Sequence, residues 1–155
     1  MSLPLRLQHV LAAIPHHGDI ADIGAGDGQL ALSRVRQVMS RVIATEIGGS
    51  YPRLLQAIAR APDCAGMIEV RKGHSLEPIH IEEVATIVIA GMGGNTIARM
   101  LGDALARKPQ WVVLQPMQHA DMVEASISAQ QCDIDAYDVF MDRGRSYCVW
   151  RLSGR

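Results

Sequence analysis

Five short runs rich in β-branched residues punctuate the chain: DIADIG (19–24), RVIATEIG (41–48), MIEVRKG (67–73), TIVIAG (86–91) and WVVLQP (111–116), each ending at glycine or proline. Continuous apolar runs of this length suit strands buried on both faces, the environment of a parallel sheet. Helix-compatible segments separate them at 28–39, 50–61 and 94–107, where Ile97, Met100, Leu101 and Ala104 recur at helical spacing. Residues 74–85 leave room only for a short, Pro-containing helix or a loop. An opening amphipathic helix over about 3–14 follows from Leu7, Val10, Leu11 and Ile14 and stops at Pro15 and Gly18. After a further helix over 118–131, the runs 133–142 and 146–152 are joined only by Arg143-Gly144-Arg145, too little chain for a crossover, so they form an antiparallel hairpin. The expected fold is α/β: a Rossmann-like, open twisted sheet of about seven strands, mostly parallel, with helices on both faces and a C-terminal antiparallel hairpin. Its ligand crevice belongs at the carboxyl ends of the strands.

A length of 155 residues fits one domain, expected to span 1–155. No stretch approaches the roughly 20 apolar residues of a membrane span. The first residues lack a signal-peptide core, because Arg6, Gln8 and His9 interrupt them, so a cytoplasmic location is expected. Cys64, Cys132 and Cys148 are odd in number and far apart, which argues against a disulfide framework or structural zinc and for buried thiols; no metal is expected. Fifteen Lys and Arg against sixteen Asp and Glu give a net charge of -1, so the chain as a whole lacks the basic signature of a nucleic-acid binder. Only a local basic patch is compatible with such a partner, and Arg143 and Arg145 are among its candidate members.

The loop after the first strand reads Gly24-Ala25-Gly26-Asp27-Gly28, preceded by Asp22. A dinucleotide fingerprint would place its third glycine at Gln29, so a nicotinamide enzyme is disfavoured. Glu46 ends the second strand, 22 residues after Gly24, where a carboxylate can accept both hydroxyls of a ribose. Together the loop and Glu46 point to an adenosine-bearing ligand, and Asp22 suits one carrying positive charge. Ile47, Gly73, His74 and Ser75 follow the second and third strands as further contacts. Ala90-Gly91-Met92-Gly93-Gly94-Asn95 ends the fourth strand beside the first, where bare glycine amides could face a substrate. Packing turns alone remain the alternative for each glycine loop.

This combination resembles the class I S-adenosylmethionine-dependent methyltransferases. More narrowly, RLQHVLAAIP (6–15), ADIG (21–24), Glu46, IAGMGGNTI (89–97), LQPMQHA (114–120) and GRSYCV (144–149) resemble the bacterial TrmK family, which methylates N1 of adenine-22 in tRNA. Three departures stand out. Gly26-Asp27-Gly28 replaces the family's Asp-His pair, Met117 stands where the family tends to have Asn after LQP, and the sequence stops at Arg155, short of the family's helical, coiled-coil-like extension.

The resemblance implies a cofactor, S-adenosyl-L-methionine, held by Arg6, Asp22, Gly24, Ala25, Gly26, Gly28, Glu46, Ile47, Gly73, His74, Ser75, Ala90 and Gly91. It implies tRNA as partner and a substrate cradle of Met92, Gly93, Gly94 and Asn95, with Gln115 and His119 on the base edge. Adenine N1 has an in-plane lone pair, so direct in-line transfer needs no strong general base. Among the aromatics, Trp111 and Trp150 are expected in the core, and Tyr51 and Tyr147 near the crevice. Methylation of a small molecule or protein, or an inactive cofactor-binding domain, are the other readings the residues allow.

Overall fold

The computed structural model describes residues 2–154. Its strands are β1 (Ile20–Ile23), β2 (Val42–Glu46), β3 (Ile68–Lys72), β4 (Thr86–Met92), β5 (Trp111–Pro116), β6 (Ile134–Asp142) and β7 (Arg145–Ser153). They form one sheet in the order β3-β2-β1-β4-β5-β7-β6. The pairings among β1 to β5 are parallel, while β7 runs antiparallel to both β5 and β6. The helices are α1 (Leu5–Ala13), α2 (Gln29–Val38), α3 (Tyr51–Ala59), α4 (Gly94–Ala106) and α5 (Ala120–Ala129).

Alternation along each strand divides the core in two. Ile23, Ile87, Ile89 and Leu114 pack with Ile97, Leu101, Val123 and Ile127 from α4 and α5. Ile20, Val88 and Val113 turn to the other face, against Val10, Leu30, Val35 and Leu54 from α1, α2 and α3. The expected architecture is therefore the observed one. Residues 74–85 form no helix: Arg107 ties them down by donating to the carbonyl oxygens of Leu76 (3.1 Å) and Ile79 (2.9 Å).

Three expectations are corrected. Trp111 is half-buried rather than core, because it is the first residue of β5, at the amino edge of the sheet, with Arg151 lying 5.6 Å from its ring centroid. Trp150, in mid-strand, is buried. Cys132 sits in the turn after α5 and is half-buried, whereas Cys64 and Cys148 are buried. The last helix begins at Ala120 rather than 118, because His119 adopts a left-handed conformation (φ 54°) at its N-cap.

Candidate active site

The strand order reverses direction between β1 and β4, the position at which an open α/β sheet leaves a crevice. Two loops meet there, residues 24–28 after β1 and 91–94 after β4. Gly24 has φ +69°, and a Cβ built on it would lie 2.5 Å from Met92 Cε. The left-handed conformation favours glycine, and any side chain there would also displace the Met92 methyl. A Cβ on Gly26 would meet no atom within 4 Å, so this residue faces open space. Gly28 differs: its φ is +79° and its Cβ would press on Ile58 Cδ1 at 2.9 Å, so it also serves as a packing contact between the loop and α3.

Glu46, at the end of β2, shapes the loop from the adjacent strand. One carboxylate oxygen accepts the Gly26 amide at 2.9 Å and the other accepts the Ile47 amide at 3.2 Å. Thr45 adds its hydroxyl, which accepts the Gly24 amide at 3.3 Å, and its carbonyl, which accepts the Ala25 amide at 2.9 Å. Most loop amides are thus engaged inside the protein, and the carboxylate keeps lone pairs for a ligand. Asp22 lies beneath, almost wholly buried. Burial raises its pKa to about 7, the Glu46 charge adds to the rise, and Arg6 opposes it. Two carboxylates beside the single guanidinium of Arg6 favour a ligand that brings further positive charge.

α1 closes the crevice through Arg6, whose Nη1 donates to Gln115 Oε1 at 2.8 Å. The same oxygen accepts the Gly91 amide at 3.1 Å, and Gln115 Nε2 donates to the Pro116 carbonyl at 2.6 Å. Gln115 is fully buried. It therefore acts as a junction joining α1, the β4 loop and β5, away from any base edge. The bare amide expected at Gly94 needs correction, since it donates to the Gln118 carbonyl at 2.8 Å. A Cβ on Gly94 would sit 2.0 Å from the His119 oxygen, so its glycine is needed for packing. Asn95 and His119 are exposed on the rim.

Two cavities share Gly24. The larger, of 560 Å³, is lined by Glu46, Ile47, Gly73, His74 and Ser75, together with Met92. The smaller, of 220 Å³, is lined by Arg6, Asp22, Ala25, Gly26, Ala90 and Gly91. A ribose-bearing base and a zwitterionic tail, joined across Gly24, match this division. Sequence reasoning missed the α4 wall of the larger cavity, Thr96, Arg99 and Asp103, because helical spacing marked only the buried stripe of that helix. Tyr51 lines neither cavity, and Tyr147 lines a separate groove beyond β5.

A crevice of this form at a β1/β4 switch point defines a nucleoside-binding α/β domain. Residues 3–150 match the methyltransferase domain family, and the chain belongs to it. A tRNA (adenine(22)-N(1))-methyltransferase from Bacillus subtilis is 38% identical over 125 residues, covering 77% of this chain and 52% of the relative. A ribosomal protein L11 methyltransferase from Pelotomaculum thermopropionicum is 31% identical over 87 residues, 56% of this chain and 28% of that one. The crystal structure of the B. subtilis m1A22 tRNA methyltransferase TrmK superposes with a TM-score of 0.90 at 29% identity, over 98% of this chain and 66% of that one. A putative tRNA (m1A22) methyltransferase of Streptococcus pneumoniae, in complex with S-adenosyl-L-methionine, has the same fold, with a TM-score of 0.90 at 24% identity over 98% of this chain and 73% of that one. The chain thus spans about half the length of the curated tRNA methyltransferase it matches.

Proposed function

We propose that residues 1–155 act as one cytoplasmic, S-adenosylmethionine-dependent methyltransferase domain that methylates N1 of an adenine in tRNA. The observation that carries the cofactor is the pairing of Glu46 with the glycine loop at the switch point, above a buried Asp22. The observation that carries the substrate is the similarity to the B. subtilis enzyme in both sequence and fold.

In this reading Glu46 accepts the ribose hydroxyls, while Ile47, Gly73, His74 and Ser75 surround the adenine in the larger cavity. Gly24, Ala25, Gly26, Ala90 and Gly91 wall the smaller cavity, in which Asp22 faces the ammonium and Arg6 the carboxylate of the amino-acid end. When bound, the cofactor supplies an electrophilic methyl group on a sulfonium. Adenine N1 offers an in-plane lone pair, so no residue has to remove a proton first. The chain's work is to hold the base in line and to keep water out. Met92 fills the gap over Gly24 and closes the cofactor off from solvent, while Gly93, Asn95 and His119 form the rim the base must pass. Gln115 positions Arg6 and Gly91 from behind.

The test is a calorimetric titration with S-adenosylmethionine, its demethylated product and NAD, followed by methylation of bulk tRNA. The expected result is binding of the first two only, weakened about a hundredfold (~2.7 kcal/mol) by Glu46→Ala. Binding of NAD alone, or unaltered affinity in that variant, would refute the cofactor assignment.

A further inference from the structure

The β6–β7 hairpin reaches past the rest of the sheet. The last rung between β5 and β7 is Leu114 with Trp150, whereas β6 and β7 stay paired up to Asp142 with Arg145. Five more residues of strand carry the ribbon roughly 16 Å beyond that rung, on the carboxyl side where the crevice opens. Arg143 (φ 52°) and Gly144 (φ 78°) form the tight turn at its tip. The hairpin packs on α1, the helix that carries Arg6: the His9 ring stacks on Phe140 at 3.9 Å, and Phe140 on Tyr147 at 5.7 Å.

Several surface arginines are committed, although exposed Arg60 and Arg99 form no ion pair among the described residues. Arg36 pairs with Asp63, Arg41 with Asp19 and Glu69, and Arg151 with Asp135. Arg143 and Arg145 are exposed and form no ion pair among the described residues, although Asp142 stands opposite Arg145 in register. At the ribbon's base, a groove of 250 Å³ runs between the segment entering α5 and the face of the hairpin, lined by Met117, His119, Tyr137, Val139 and Ser146. Tyr137 is 55% exposed, and its ring leans on Trp150 at 5.3 Å with a 38° tilt, so one face is backed and the other is open.

We propose that this hairpin and groove form an RNA-strand subsite, in which Arg143 and Arg145 hold backbone phosphates near the target nucleotide and the open face of Tyr137 stacks a neighbouring unpaired base. The inference rests on the tRNA reading given above. Two exposed cations on a rigid ribbon match a phosphate backbone, which accounts for local recognition by a chain of net charge -1. A groove of mixed polarity with a supported ring suits a splayed base, since stacking tolerates any sequence and the polar lining can meet the base edge.

The decisive experiment measures affinity of the purified chain for bulk tRNA across a salt series, alongside methylation of that tRNA and titration with S-adenosylmethionine. Arg143→Ala with Arg145→Ala should weaken tRNA binding tenfold or more and flatten the logarithmic salt slope by about 1.5 to 2, while Arg143→Lys with Arg145→Lys keeps the slope. Tyr137→Ala should lose about fivefold in affinity with the slope unchanged. All of these variants should bind S-adenosylmethionine as the parent does, which also reports that they fold. A parent chain that methylates tRNA while the double alanine variant matches it in affinity and slope overturns the hairpin inference alone. A parent that binds tRNA through these arginines and methylates none of it supports the inference and overturns the tRNA-methylation reading. A parent that neither binds nor methylates tRNA overturns both.

Discussion

Along the β3 edge, charges answer one another. Arg71 donates to Glu83 at 2.8 Å and 2.5 Å, to Glu69, and to the Pro78 carbonyl at 2.7 Å, while Arg41 bridges Asp19 and Glu69. At the carboxyl rim, from the crevice to the hairpin tip, they do not. Asp22 and Glu46 repel each other, and Arg143 and Arg145 form no ion pair among the described residues. The edge network is saturated and has nothing to offer a ligand. The rim carries electrostatic cost that a cationic cofactor and a polyanionic substrate would relieve. A fold that needs only stability has no reason to leave charge unbalanced in this way, so the contrast separates structural from functional charge more clearly than net charge does.

Breaking the saturated side should show the largest effect of three. Arg71→Ala strands the partly buried Glu83 and is expected to cost about 2 kcal/mol, a fall in Tm of roughly 5 °C by calorimetry, with cofactor affinity unchanged. Its pH dependence sharpens the point. Hydrogen bonding to Arg71 holds the Glu83 pKa at about 2, so its contribution is present above the ordinary glutamate pKa and is lost as pH falls towards 2. The gap in stability between parent and variant should therefore narrow below about pH 4.

The unbalanced side should respond to ligand instead. Asp22, with its pKa raised to about 7, is largely protonated below that pH, and a cationic ligand favours the ionised form. Affinity for S-adenosylmethionine should rise about tenfold between pH 6 and 8, with proton release near pH 6.5 visible in buffers of different ionisation heat. Asp22→Asn should bind more weakly and lose that dependence. A flat profile in the parent would remove Asp22 from the cofactor's cationic end. The smallest effect belongs to the apolar part of the rim: Val139→Thr, at an exposed site, should shift stability by less than about 0.5 kcal/mol, measured by denaturant midpoint.

The strands were legible because burial on both faces leaves unbroken β-branched runs, and the hairpin because three residues cannot hold a crossover. Gly24, Gly26 and Glu46 were legible by spacing. The packing role of Gly28 was not, since its partner is Ile58, thirty residues away on α3. Gly94 likewise reads as a bare amide until the backbone of residues 118–119 is seen against it. Gln115 looked like a base contact because its strand ends at the site, but its side chain turns inward and satisfies three elements at once. In each case the missing information is a long-range contact that no local period encodes.

Two hydrogen bonds cross between the loops on the substrate side, from the Met117 amide to the Met92 carbonyl and from the Gly94 amide to the Gln118 carbonyl, each 2.8 Å. With no room for a side chain at Gly94, the start of α4 and the segment leading into α5 are stitched along a common seam. A seam of this kind ties the position of Met92 to that of His119 and of the neighbouring groove. If the proposed base entry and strand subsite hold, a change at this seam would be felt by both of them together.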